Sequence, residues 1–134
     1  MKENYTYPVI LDYSETDYIN IIVPDLDGAM TSSERNADII KESQDFLAIL
    51  LLDFEDSARE LPEASLDIKV EKDQKVIFVN VWMPIHRAKI KETFIKKTLT
   101  IPSWLDILAK QEGINFSGIL VKALKEELKL DTVK

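Results

Sequence analysis

Three side chains near the end of the chain share one spacing. Lys96, Thr98 and Thr100 stand at every second position of IKKTLTIPSWLDIL, residues 95–108. Successive side chains of a strand point to opposite faces, so these three share one face. Ile95, Lys97, Leu99 and Ile101 share the other. Lysine can donate to phosphate or to guanine O6 and N7, and threonine can donate, accept, or touch a thymine methyl. That chemistry suits the base edges of DNA. A second group is acidic: Asp12, Glu15, Asp17, Asp25 and Asp27 lie in or near predicted loops. Such carboxylates can face a basic protein partner or be ordinary solvated turn residues. A third use is two-metal phosphodiester hydrolysis, which needs carboxylates converging on cations about 3.5–4 Å apart. Asp12, Asp25 and Asp27 would then be the ligands.

Other chemistries have little material to work with. There is no cysteine, which excludes disulfides, thiolate catalysis and cysteine zinc sites. His86 is the only histidine, so a catalytic triad or a histidine-rich metal site is not expected. Neither a P-loop nor a dinucleotide fingerprint occurs. Trp82 and Trp104 read as core or interface residues. The expectation is a binding protein and not an enzyme, with no cofactor and no metal.

These residues need elements to position them. The chain has 134 residues, 46% hydrophobic and 31% charged, which fits one domain or a small domain plus a module. No apolar run approaches the roughly 18 residues of a membrane span, and MKENYTYPV has no apolar signal-peptide core. A cytoplasmic location and no membrane association are expected. The net charge of −7 is uneven. Residues 1–85 carry 18 acidic and 7 basic side chains, whereas residues 86–134 carry 6 and 10. An acidic region should attract something basic, and a basic one suits a polyanion.

Strands are predicted at TYPVILDY (6–13), DYINIIVPD (17–25), near Ala29–Ser32, and at KVIFVNVWM (75–83). In the last of these Val76, Phe78 and Val81 or Trp82 compete for the inner face. A helix lies between the third and fourth strands. Thr31 and Glu34 have capping-box spacing, and Asn36 is another possible start. Its apolar positions are Ile39, Ile40, Leu47, Leu50, Leu51 and Phe54. The order β-β-β-α-β implies an α+β sheet with one face covered by a helix. Residues 1–85 form the acidic domain, 86–93 a basic linker or short helix, and 94–134 the final module.

In that module Pro102 stops the strand and Ser103 is a candidate N-cap. The first helix presents Leu105, Leu108 and Ala109, and Gly113 suits its C-terminal turn. Asn115 or Ser117 can cap a second helix carrying Leu120, Leu124 and Leu128. Its N-terminus, around Asn115, Ser117 and Gly118, offers amide groups to a phosphate. A strand and two helices in about 40 residues make a marginal core. The lone strand also lacks a ladder partner. Two copies that pair their strands and interlock their helices solve both problems. Leu99, Ile101, Leu105, Leu108, Leu120 and Leu124 would form this dimer interface.

KKTLTIPSWLDILAKQEGINFSGILVKALKEEL, with its Gly-x-Asn-x-Ser turn, resembles the ribbon-helix-helix repressors over about residues 94–130. The preceding part, with YPVILDY, DYINIIVPDLDGAMT, a long helix, LPE and a strand ending in VWMP, resembles the HicB antitoxins. It departs from them at Ala29, where that family often has cysteine after the turn glycine. The resemblance implies a degenerate RNase H-like domain followed by a ribbon-helix-helix DNA-binding and dimerisation module. It implies an antitoxin of a type II toxin-antitoxin system. Such a protein neutralises a HicA-like toxin, a small basic ribonuclease that cleaves mRNA, and represses its own operon by binding operator DNA. The five acidic residues are then the toxin-binding candidates, and pairing of dimers into a larger heteromer with toxin is open. Two alternatives remain: a stand-alone ribbon-helix-helix regulator with a ligand-sensing N-terminal domain, and a metal-dependent RNase H-like nuclease.

Overall fold

The computed structural model describes residues 2–91 and 94–130. The chain divides into two compact units, Met1–Phe94 and Ile95–Lys134. The first contains β1 (Asn4–Asp12), β2 (Tyr18–Val23), β3 (Ala29–Glu34), α1 (Ile39–Asp56), β4 (Gln74–Trp82) and α2 (Met83–Lys91). The second contains α3 (Ser103–Gln111) and α4 (Phe116–Glu127). The fold is thus mixed α+β.

The four strands form one antiparallel sheet in the order β3-β2-β1-β4. Two tight connections set its register. Asp12 closes the first by accepting from the Ser14 amide at 2.8 Å. In the second, Pro24–Gly28, Asp27 and Gly28 take positive φ angles of 62° and 64°. Glycine adopts that conformation without steric cost. Leu26 of the same turn is buried and plugs one end of the core.

Period-2 alternation sends Tyr7, Val9 and Leu11 of β1, and Ile19, Ile21 and Val23 of β2, to one side. Val79 and Val81 of β4 join them, and α1 lays Leu47, Ala48, Leu51 and Phe54 on that face. Each fully buried aliphatic side chain contributes about 1.5–3 kcal/mol. Asp38 caps α1 by accepting from the Lys41 amide at 3.2 Å. Buried Ser43 donates to the Ile39 carbonyl at 2.7 Å.

Several expectations change here. Thr31 and Glu34 do not cap the helix. They lie in β3, which pairs with β2 through Tyr18 and Glu34, so the helix starts only at Ile39. Ile40 is exposed and falls off the buried stripe. In β4 the inner face belongs to Ile77, Val79 and Val81, whereas Phe78 and Trp82 point outward. The whole run is apolar, so its own sequence cannot set the phase; pairing of Val79 with Tyr7 and Val81 with Tyr5 does.

The sequence predicts a linker or short helix over residues 86–93; residues 86–91 are helical and belong to the first unit, and residues 92–93 lie outside the described residues. Arg87 makes a two-pronged ion pair with Glu55 of α1, at 3.1 and 2.5 Å, and donates to the Lys2 carbonyl at 2.8 Å. Both charged groups are largely removed from water. One cation of the basic stretch is therefore spent inside the fold.

Candidate binding surfaces

The sheet separates the five acidic candidates. Asp12, Glu15 and Asp17 lie at the β1–β2 end, and Asp25 and Asp27 at the β2–β3 end. The length of β2 between them is about 17 Å. The carboxylates suggested for a two-metal centre do not converge. Among the described residues there is no group of three or more acidic, histidine or cysteine side chains able to hold a metal ion.

Most of these carboxylates already have work inside the fold. Asp12 also accepts from Gln74 Nε2 at 3.0 Å. Its hydrogen bonds with Ser14, then Gln74, hold it below the usual carboxylate range. Asp25 accepts from the Ser65 amide at 2.7 Å and from its hydroxyl at 2.6 Å, pinning the long 57–73 connection. Asp27 pairs with Arg59 at 2.9 Å, and that guanidinium lies 4.0 Å over the Phe54 ring. Glu15 and Asp17 are exposed and in no ion pair among the described residues. They are the least encumbered of the five. His86 sits half-buried on α2. Burial lowers its pKa, Asp45 opposes this, and Lys89 and Lys41 add to it.

The second unit has a different character. Residues 95–101 make no strand ladder within the single chain, and Lys96, Thr98 and Thr100 are all exposed. The two faces nevertheless separate. Lys97, Leu99 and Ile101 line a groove of about 570 Å³ with Ile119, Leu120 and Ala123 of α4, and the even-numbered side chains do not. The expected cap of α3 shifts by one: Pro102 takes the cap position without a side-chain bond, and Ser103 is the first helical residue. Gly113 closes α3 at φ 66°, its amide donating to the Lys110 carbonyl at 3.1 Å.

At α4 the choice between caps falls to Asn115, whose Oδ1 accepts from the Gly118 amide at 3.1 Å. That amide is therefore not free for a phosphate. Ser117 lines the groove instead of capping. A Cβ at position 118 would meet Asn115 Nδ2 at 3.1 Å, so the glycine makes room for the cap. Neither helix buries a residue. Leu99, Ile101, Leu105, Leu108 and Leu124 are exposed, and Leu120 is half-buried. Trp104, Phe116 and Ile119 add to this uncovered surface. The helical spacing of the sequence places Trp104 and Ile107 beside the α3 stripe and widens the α4 stripe with Ile119 and Ala123.

No helix among the described residues is long and apolar enough to cross a membrane. Neither a family model nor a curated protein matches the sequence. Among solved structures, the chain is similar to a chain of a toxin-antitoxin complex from Streptococcus pneumoniae. The likeness has a TM-score of 0.52 at 24% identity and covers 92% of this chain and 99% of that one. It establishes a shared fold that extends over both units.

Proposed function

We propose that this chain is the antitoxin of a type II toxin-antitoxin pair, of the HicB kind, and a binding protein, not an enzyme. Its first unit is a degenerate RNase H-like domain that covers a HicA-like toxin, a small basic mRNA-cleaving ribonuclease. Its second unit is a ribbon-helix-helix module that pairs with a second copy and binds operator DNA in the cytoplasm. The observation that carries this reading is the fold likeness to a chain of a toxin-antitoxin complex, which runs through both units. Charge favours the antitoxin side of such a pair: an acidic domain is steered toward a basic nuclease and keeps RNA away from it. The uncovered apolar surface of α3 and α4 supports pairing, since groups this exposed gain most from a partner.

In the paired form the strands at 95–101 would make a two-stranded ribbon, which fits the DNA major groove. Lys96, Thr98 and Thr100 would meet the bases. The separation of carboxylates along the sheet speaks against the nuclease alternative. The test is co-expression with a small basic ribonuclease encoded beside this chain. Growth should be restored, and Lys96→Ala/Thr98→Ala/Thr100→Ala should keep that rescue while losing operator binding by about a hundredfold or more. Absence of rescue would favour a ligand-sensing regulator. Unchanged operator binding by the triple variant would overturn the ribbon assignment.

A further inference from the structure

Helix α1 covers one face of the sheet, and the register shows what the other face carries. Met30 lies opposite Ile22, Ile22 opposite Ile10, and Ile10 opposite Val76, so one apolar row crosses all four strands. The row is about 15 Å wide. Phe78, opposite Pro8, extends it by one step along the strands, and Trp82 stands farther along the same face. Met30, Phe78 and Trp82 are 60%, 50% and 53% exposed. An ordinary solvated sheet face alternates polar residues outward. Here the outward positions of β4 include Val76, Phe78 and Trp82. A contiguous apolar band with a polar rim marks an interaction surface.

The rim indicates the sign of the partner. Asp12, Glu15, Asp17 and Glu34 border the band at the β1–β2 end. The cation beside them, Arg35, is tied to the carbonyls of Tyr13 and Glu15, and Lys75 lies 5.6 Å from the Tyr13 ring. The adjoining turn at 71–73 adds two carboxylates and one lysine. Acidic groups therefore dominate this end. A second copy would bring an equally acidic domain against it, whereas a basic partner is attracted.

We infer that the outward face of the sheet, where Phe78 and Met30 stand exposed around half-buried Ile10, Ile22 and Val76, is the surface that docks the basic ribonuclease. This rests on the function proposed above and assigns the contact within it. The apolar band supplies the desolvated centre, and Glu15 and Asp17 steer approach from the rim. An interface arranged this way loses most affinity when its apolar centre is charged and less when its rim is altered.

The experiment uses the full-length chain and the purified neighbouring ribonuclease. Phe78→Asp and Met30→Asp should each weaken binding about a hundredfold while operator binding and far-ultraviolet circular dichroism stay as in the parent. Glu15→Lys/Asp17→Lys should slow association roughly tenfold at low salt and little at high salt. A readout without substitution on the sheet face comes from Trp104→Phe, which leaves Trp82 as the only tryptophan of the chain. Saturating ribonuclease should blue-shift its emission and shield it from acrylamide. Parent binding that survives both aspartate variants, with Trp82 still fully quenched, would overturn the inference and leave the antitoxin reading intact. Failure of the parent chain itself to bind would overturn both. Loss of a tetramer in favour of a dimer in Phe78→Asp, without ribonuclease present, would assign the face to a second copy and equally overturn it.

Discussion

The two units use similar proportions of apolar sequence in opposite ways. In the first, strands of alternating phase and a capped 18-residue helix turn their apolar sides toward one another, and Val9, Ile21, Leu47 and Leu51 are completely buried. In the second, α3 and α4 are well-formed amphipathic helices with sound ends, yet no side chain of either is buried. Good local structure is therefore not the same as a core. A small helical pair has too much surface for its volume, and its apolar stripe stabilises the fold only once something covers it. The first unit buries a core of its own, whereas the second leaves its apolar stripes exposed.

That contrast can be broken by substitution. The largest expected effect is at Leu51→Ala, which opens a cavity between α1 and the sheet. It should lower the stability of the first unit by about 3 kcal/mol at any protein concentration. Leu108→Ala should leave that transition in place and weaken self-association roughly tenfold. Calorimetry over a dilution series separates the two. Next comes Asn115→Ala, which leaves the Gly118 amide uncapped and should cost about 1 kcal/mol, confined to the second unit. Circular dichroism on dilute and concentrated samples reads that loss.

The smallest effect concerns pH. Burial holds the folded His86 imidazole below its ordinary value of 6.5. Below that value the unfolded chain binds more protons than the folded one, so stability of the first unit falls as pH drops toward the folded pKa. His86→Gln should flatten this part of the urea-midpoint profile, below the ordinary imidazole value of 6.5. The second unit has no histidine and should show no such slope.

The same contrast explains what the sequence made legible. Helical spacing and turn residues located α1, α3 and α4, and Gly113 and Asn115 acted as their types imply, because these are local effects. The phase of β4 was not legible, because VIFV is apolar on both sides and only pairing with β1 chooses between them. That ambiguity concealed the outer band, the feature most suited to a partner. The start of α1 was misplaced because Thr31–Glu34 has the spacing of a cap, but β2 offers those residues a ladder. The acidic residues were visible as a group, yet their division between the two ends of the sheet, and the engagement of Asp25 with Ser65 and of Asp27 with Arg59, depend on contacts distant in sequence.

The most direct test is sedimentation equilibrium of the full-length chain from nanomolar to tens of micromolar, with the helical signal followed over the same range. If the second unit is completed by a second copy, the chain is dimeric at micromolar concentration, and dilution lowers mass and helicity together while the first unit stays folded. A monomer at every concentration, with α3 and α4 fully ordered, would contradict it.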